Sequence, residues 1–294
     1  MNAARPVGRP PRSPAERVRA RLRSEFGSAV ADRLPAGYQR LGSVLLVRLP
    51  PGLEAAHRAL GEAWCHELGV RTVLVRTGAI TGEFRRPAVV RIAGPSGETE
   101  FWEDGIRYRL DAERIMVAEG NRTERRRFGR LVRPGETVVD LFAGIGYFAL
   151  PALVHGRAAR VLAVEKNPLA FRYLEENLER NGVAARARAW LGDNREVDLP
   201  TGVADRVVLG YLPTTLPWVP RALELLRPAG GTVHVHLVVR SRGGPSEAAA
   251  EVREAVARAG ADVRSVAARE VKPYGPGRAH AVVDVDVGPP RSGT

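Results

Sequence analysis

The sequence is short of three things, and two of those shortages exclude a class of protein. Among 294 residues there is one cysteine, Cys65, which excludes an intramolecular disulfide and any multi-thiolate zinc or iron–sulfur site. No apolar run approaches the roughly 20 residues needed to span a bilayer. The basic N-terminus MNAARPVGRPPRSPAERVRARLRSEF lacks the apolar core of a secretory signal, so a cytoplasmic location with no membrane partner is expected. Lysine is the third shortage: Lys166 and Lys272 are two of 45 basic residues, the rest being arginine. With abundant Ala, Gly and Pro, that skew reads as the coding bias of a GC-rich genome. Such a bias selects arginine over lysine, but it does not create the excess of 45 basic over 33 acidic residues. The resulting formal charge of +12 and pI near 10.9 favour a polyanionic partner such as nucleic acid.

What is present is an ordinary globular composition, 44% hydrophobic with a mean hydropathy of −0.19, long enough for one large domain or two of common size. Residues 1–13 read as a disordered basic tail. Ser13 followed by Pro14 reads as a helix N-cap with proline in the first turn, opening a helix to about Asp32. Strands are expected at 42–50 and 70–78 around a helix at 53–69. A further strand, PAVVRIAGP, and a hairpin turning at EDG complete a small α+β domain over 14–114.

From 115 to 288 strands alternate with helices, the pattern of a mainly parallel sheet. Strands fall at 136–144, 160–167, ARAWLGDN, ADRVVLGYL and GTVHVHLVV. Helices are expected at 145–156, 168–182, 217–230 and over PSEAAAEVREAVARAG. ADVRSVAAREVKP and AHAVVDVDV form a hairpin-like ending with an antiparallel last strand, and 289–294 is a C-terminal tail.

The strongest local signal is VVDLFAGIGYFALP (138–151). An apolar strand ends at Asp140 and turns through Phe142, Ala143, Gly144 and Gly146, where glycine permits close backbone approach to a ligand. The second strand ends in AVEKN, placing Glu165, with Lys166 and Asn167, where an acid holds ribose hydroxyls. The third ends in LGDN, with Asp193 placed to accept from an adenine amino group beside Asn194. Three acidic strand tips without a third glycine suit S-adenosylmethionine: a sulfonium and an ammonium tolerate carboxylates, and the pyrophosphate of NAD does not. The expected class is therefore α/β, a Rossmann-like class I S-adenosylmethionine-dependent transferase sheet with a small N-terminal α+β domain.

Several stretches carry a family resemblance over residues 34–288: LPAGYQRLGSVLLVRLP, RTVLVRTGAITGEFRRP, EDGIRYRLDAERIMVAEGNRTERRRF, DLFAGIGYFALPA, AVEKNP, GDNRE and ADRVVLGYLPTT. The chain resembles the archaeal-type enzymes of wybutosine synthesis, relatives of the tRNA guanosine-37 N1-methyltransferases. The resemblance implies transfer of the 3-amino-3-carboxypropyl group of S-adenosylmethionine to a tricyclic guanosine derivative in tRNA, releasing 5′-methylthioadenosine. The methyltransferase relatives typically carry Asn-Leu-Pro near the fourth strand tip, whereas this chain has Gly210 and Tyr211, as the aminocarboxypropyl branch does.

Which sulfonium carbon reacts is a matter of orientation, so a pocket that turns the amino-acid arm toward the acceptor changes the product without new catalytic groups. Tyr211 is placed to stack on a base or bound the arm pocket, or else to cap the sheet as a core aromatic. By resemblance Arg125 contacts the donor carboxylate, and Glu124 holds its amino group or orders the loop. Alternatively Arg122, Arg125, Arg126, Arg127 and Arg130 present a cationic helix to phosphate. His234 and His236 face one side of the fifth strand, as hydrogen-bonded core residues or pocket lining; with no third ligand at metal spacing, no metal is expected. KPYGPGRAH (272–280) covers the pocket mouth or is a long hairpin turn. Two further acceptor readings stay open: a small molecule, including cyclisation of the arm to azetidine-2-carboxylate, and guanine N1-methylation.

Overall fold

The structure is a computed structural model that describes residues 13–35 and 37–290. The basic tail expected at 1–13, Ser13 apart, and residues 291–294 lie outside the described residues. The chain forms two compact units. The first runs up to Phe101 and takes in Leu110–Val117; the second comprises Trp102–Arg109 and everything from Ala118 onward.

In the first unit, Ser13 caps helix α1 (Pro14–Phe26) through a reciprocal capping box with Glu16, which satisfies two N–H groups that would otherwise lack partners. The expected helix to Asp32 breaks at Gly27, whose φ of 75° is non-helical, and resumes as the single turn α2 (Ser28–Ala31). Strands β1 (Gln39–Leu41), β2 (Val44–Val47), β3 (Thr72–Arg76) and β4 (Val89–Ala93) form one sheet in that order. Parallel β2 and β3 are joined through α3 (His57–Leu68); the other pairings are antiparallel. Leu22, Leu45, Leu60, Trp64 and Val73 are the centre of its core.

Strands β5 (Glu98–Glu103) and β6 (Ile106–Asp111) make the expected hairpin. Its turn places Asp104 and Gly105 at φ of 50° and 79°, the left-handed pair that matches strand twist in a two-residue hairpin.

The second unit continues with α4 (Arg122–Leu131), β7 (Thr137–Asp140), α5 (Ala149–Val154), β8 (Arg160–Glu165), α6 (Pro168–Arg180), β9 (Ala187–Leu191) and β10 (Arg206–Leu209). It ends with α7 (Val219–Leu225), β11 (Gly231–Arg240), α8 (Gly244–Arg258), β12 (Ala261–Gly275) and β13 (Arg278–Pro290). The sheet order is β12-β13-β11-β10-β7-β8-β9. The five strands β11, β10, β7, β8 and β9 are parallel, and β13 and β12 are antiparallel additions. The buried strands are near-continuous Val and Leu, as a parallel sheet covered on both faces requires.

Three expectations are corrected here. α7 is shorter than 217–230, because Pro217 and Pro220 confine its start and Pro228 lies beyond its end. β13 passes residue 288 to reach Pro290. The segment KPYGPGRAH is mostly strand: β12 runs to Gly275 and β13 resumes at Arg278, leaving only Pro276 and Gly277 for the turn. It is a hairpin turn and not a cover. The chain winds one way from β7 through β8 to β9, then returns to lay β10 on the other side of β7. That reversal creates a crevice beyond the carboxyl ends of β7 and β10, where open α/β sheets bind their ligands.

Candidate donor and acceptor site

At the end of β7, Asp140 is fully buried. Its Oδ1 accepts the Phe142 N–H at 3.2 Å, while Oδ2 is sealed from water without a hydrogen-bond partner. Burial pushes this carboxyl up to about 7, and the nearby Glu165 adds to the rise. A buried acceptor left open in this way suits a cationic or hydrogen-bond-donating ligand group. One strand over, Glu165 accepts the N–H of Gly144 through Oε2 and that of Asn167 through Oε1, both at 2.7 Å. Burial raises its pKa as well. Asn167 caps α6 by accepting the Leu169 N–H at 3.0 Å, and Ala143 is tied to Val164 by a 2.9 Å backbone bond.

The glycines explain a departure from expectation. The helix foreseen over 145–156 starts only at Ala149, because Gly144 and Gly146 sit at φ of 56° and 102°. Neither conformation is helical, so residues 141–148 wrap between Asp140 and Glu165 as an open turn. At the tip of β10, Gly210 is required for another reason: a Cβ there would lie 2.7 Å from Cε2 of Phe148. No side chain fits. The next residue, Tyr211, stacks on Phe142 with centroids 5.3 Å apart and planes 21° from parallel.

Trp218, which the sequence reading missed, completes this aromatic wall. It meets Phe142 edge-on at 5.2 Å and donates from Nε1 to Asn194 Oδ1 at 2.7 Å. Asn194 in turn donates to the Leu141 carbonyl at 2.6 Å. Its signal was the Pro-Trp just beyond the strand-four tip. Asp193, expected to receive an adenine amino group, has both oxygens engaged: Lys166 Nζ lies 2.9 Å from Oδ2, and Arg195 grips both oxygens at 2.9 and 2.6 Å. Those cations, Arg195 foremost, hold its carboxyl far below the usual range.

Most of the arginine run on α4 is engaged by acidic groups of the protein, and part of it stays exposed. Arg125, only 3% exposed, makes a two-pronged pair with Glu103 at 2.7 and 2.6 Å and donates to the Ala118 carbonyl at 3.1 Å. Its guanidinium also lies 5.4 Å from the Tyr147 ring centroid. In this structure its guanidinium is engaged by protein groups. Arg122 and Arg126 both reach Asp104, and Arg130 is exposed.

Glu124 is buried and gripped by Arg127, with Arg269 also against it. Arg127 bridges on to Asp284 at 2.6 and 3.0 Å, and Asp284 accepts from His234 Nδ1 at 2.5 Å. His234 Nε2 faces Arg206 at 2.8 Å, and Arg206 pairs with Glu136. His236 Nδ1 meets His280 Nε2 at 3.0 Å. Both strand-five histidines are buried core groups whose pKa values burial depresses, which removes them from the pocket lining.

A second unforeseen device fixes the donor turn. Asn177 Oδ1 accepts the Arg109 N–H at 2.7 Å, while its Nδ2 donates to the Arg109 and Ile145 carbonyls at 3.2 and 3.1 Å. One turn along α6, Asn181 treats the N–H and C=O of Arg107 in the same way at 2.9 and 2.7 Å. Residues two apart on β6 thus find partners four apart on a helix, so side-chain amides replace a missing neighbouring strand.

Comparison with known proteins fits this geometry. Residues 99–264 match the TRM5/TYW2 methyltransferase domain and residues 18–97 the TYW2 N-terminal domain. A Pyrococcus horikoshii protein named tRNA(Phe) (4-demethylwyosine(37)-C(7)) aminocarboxypropyltransferase is 38% identical over 272 residues, spanning 92% of this chain and 96% of its own. The crystal structure of P. horikoshii TYW2 in complex with MeSAdo superposes with a TM-score of 0.84 at 34% identity, covering 93% of this chain and 99% of that one. That of M. jannaschii TYW2 in complex with AdoMet gives 0.70 at 29% identity, covering 86% and 100%. The methyltransferase-domain match alone spans more than half of the sequence, and this chain belongs to the TRM5/TYW2 family.

Proposed function

We propose that this chain transfers the 3-amino-3-carboxypropyl group of S-adenosylmethionine to a modified guanosine-type base in tRNA and releases 5′-methylthioadenosine. The observation that carries the reading is the tip of β10. Gly210 is held free of any side chain by Phe148, so no side-chain amide can project there toward a guanine N1 edge. Support comes from the P. horikoshii and M. jannaschii relatives, which are named for this activity.

The site fits the donor on its own terms. The unpartnered Asp140 Oδ2 offers an acceptor to a cationic group, and Glu165, fixed by two backbone N–H groups, offers its remaining lone pairs to ribose hydroxyls. The Phe142–Tyr211–Trp218 wall supplies flat apolar surface for a purine. Lys166 and Arg195 lock Asp193, and Asn194 locks Trp218, so these residues act by holding the rim in place. Bound here, S-adenosylmethionine supplies a carbon electrophile whose leaving group is a neutral thioether. The chain's residues orient the arm and exclude water, and the acceptor atom gives up its proton as the new bond forms and the thioether leaves. Glu124 and Arg125 act as positioning residues, tying α4 to β13 and to the hairpin. The reading places the enzyme with tRNA in the cytoplasm.

The test uses S-adenosylmethionine labelled separately in the methyl and aminocarboxypropyl groups, with tRNA carrying the wybutosine precursor at position 37. Arm label in tRNA with 5′-methylthioadenosine as co-product is expected. S-Adenosylhomocysteine with methyl label in tRNA would refute the reading, and so would arm label recovered only as azetidine-2-carboxylate.

A further inference from the structure

The donor site leaves the tip of the β5–β6 hairpin unused, yet this tip carries the most exposed large aromatic among the described residues. Trp102 is 62% exposed. Alternation along the hairpin turns Phe101, Ile106 and Tyr108 inward, where all three are buried, and sends Trp102 outward. The Arg107 guanidinium lies over the indole, 4.8 Å from its centroid, which leaves the rest of the ring to solvent.

The platform is held from two sides. Asn177 and Asn181 on α6 clip the backbone of Arg109 and Arg107, and Arg122 and Arg126 on α4 both bind Asp104 at the turn. The two guanidinium groups of Arg122 and Arg126 share the Asp104 carboxylate, and the Glu103 carboxylate is occupied by Arg125. The side chains of Arg122 and Arg126 remain 52% and 44% exposed. The other exposed large apolar residues of this unit, Leu191 and Tyr274, lie on β9 and β12. Trp102 thus has the Arg107 guanidinium over its ring and exposed Glu100 two residues back on the same outward face of β5, while Arg122 and Arg126 stand at the hairpin turn.

We propose that Trp102, backed by Arg107, is a stacking platform for an unpaired base of the RNA substrate, with Arg122 and Arg126 on adjacent phosphates. The proposal rests on the tRNA reading above. Stacking on an indole accepts any base, so this contact anchors the RNA without reading its sequence. Because Asn177 also binds Ile145 in the donor turn, the platform is tied to the reaction site by one buried side chain.

The test is binding of a tRNA(Phe) transcript to the full-length protein across a salt series. Trp102→Ala is expected to weaken binding roughly 10-fold with an unchanged salt slope, since stacking releases no counterions. Trp102→Tyr should stay near wild type. The Arg122→Ala/Arg126→Ala double variant should lower the salt slope by about 1.5 to 2. S-Adenosylmethionine affinity should be unchanged in all three. A Trp102→Ala protein that binds the transcript as tightly as wild type would overturn the platform and leave the tRNA reading standing. Wild-type protein that fails to bind the transcript would overturn both. A Trp102→Ala change in oligomeric mass by light scattering, with RNA affinity intact, would make the indole a protein contact and also refute the proposal.

Discussion

Asp140 should couple donor binding to pH, and the size of the effect follows from its surroundings. The carboxyl is fully buried, has one oxygen without a partner, and has a pKa raised to about 7. In the free protein near neutrality it is therefore half protonated. A sulfonium–ammonium donor stabilises the ionised form, so binding must release a proton from the fraction that holds one. With a free-state pKa of about 7, the apparent Kd should be roughly eight-fold weaker at pH 6 than at pH 7.5, and about 0.9 proton should leave per donor bound at pH 6. Holding the upper limit at pH 7.5 keeps the donor's own α-amino group, with a pKa near 8, largely charged.

Titration calorimetry in two buffers of different ionisation enthalpy measures both quantities. Asp140→Asn keeps an oxygen for the Phe142 N–H, so the turn should survive, but its affinity should be low and flat with pH. Neutral 5′-methylthioadenosine should show a shallower profile than the donor. The same group also sets a stability trend. Its folded pKa lies above the unfolded value, so its contribution is intact below about pH 4 and is lost as pH rises toward 7, by about 4 kcal/mol in all. Saturating donor should offset that loss. A wild-type affinity constant from pH 6 to 7.5, with no buffer-dependent heat, would refute the assignment of Asp140 to the donor.

Two further outcomes test the framework. Asn177→Ala removes a fully buried amide that serves Arg109 and Ile145; stability should fall by about 2–4 kcal/mol in denaturant melts, and Asn181→Ala, nearer the surface, should cost less. Asp284→Asn strips the carboxylate from between Arg127 and His234. These partners hold the Asp284 pKa below the ordinary range, so its stabilisation is present above about pH 4 and lost as pH falls below it. The variant should be less stable at pH 7, and its melting temperature should vary less between pH 5 and pH 3 than that of wild type.

Much of the molecule was legible because it is local. The Ser13–Glu16 capping box spans three residues, and the hairpin turn at Asp104-Gly105 needs only two. The strands of the parallel sheet announce themselves as apolar runs, and the donor turn as glycines between an apolar strand and a helix. The late start of α5 was missed because alternating glycines read as helix until their positive φ values are known.

What the sequence by itself determined was the order of strands and helices, the acidic residues at successive strand tips and the glycine at the end of β10. Tertiary structure alone decided what the charged and polar side chains do. Arg127 finds Asp284 across 157 residues, and Asn177 finds Arg109 across 68. An arginine run has the same spelling whether it faces phosphate or a buried carboxylate; the difference lies in which distant group the fold brings within 3 Å. Periodicity is read along the chain, but pairing of polar groups is settled only in space, where a buried charge must find its partner or be expelled.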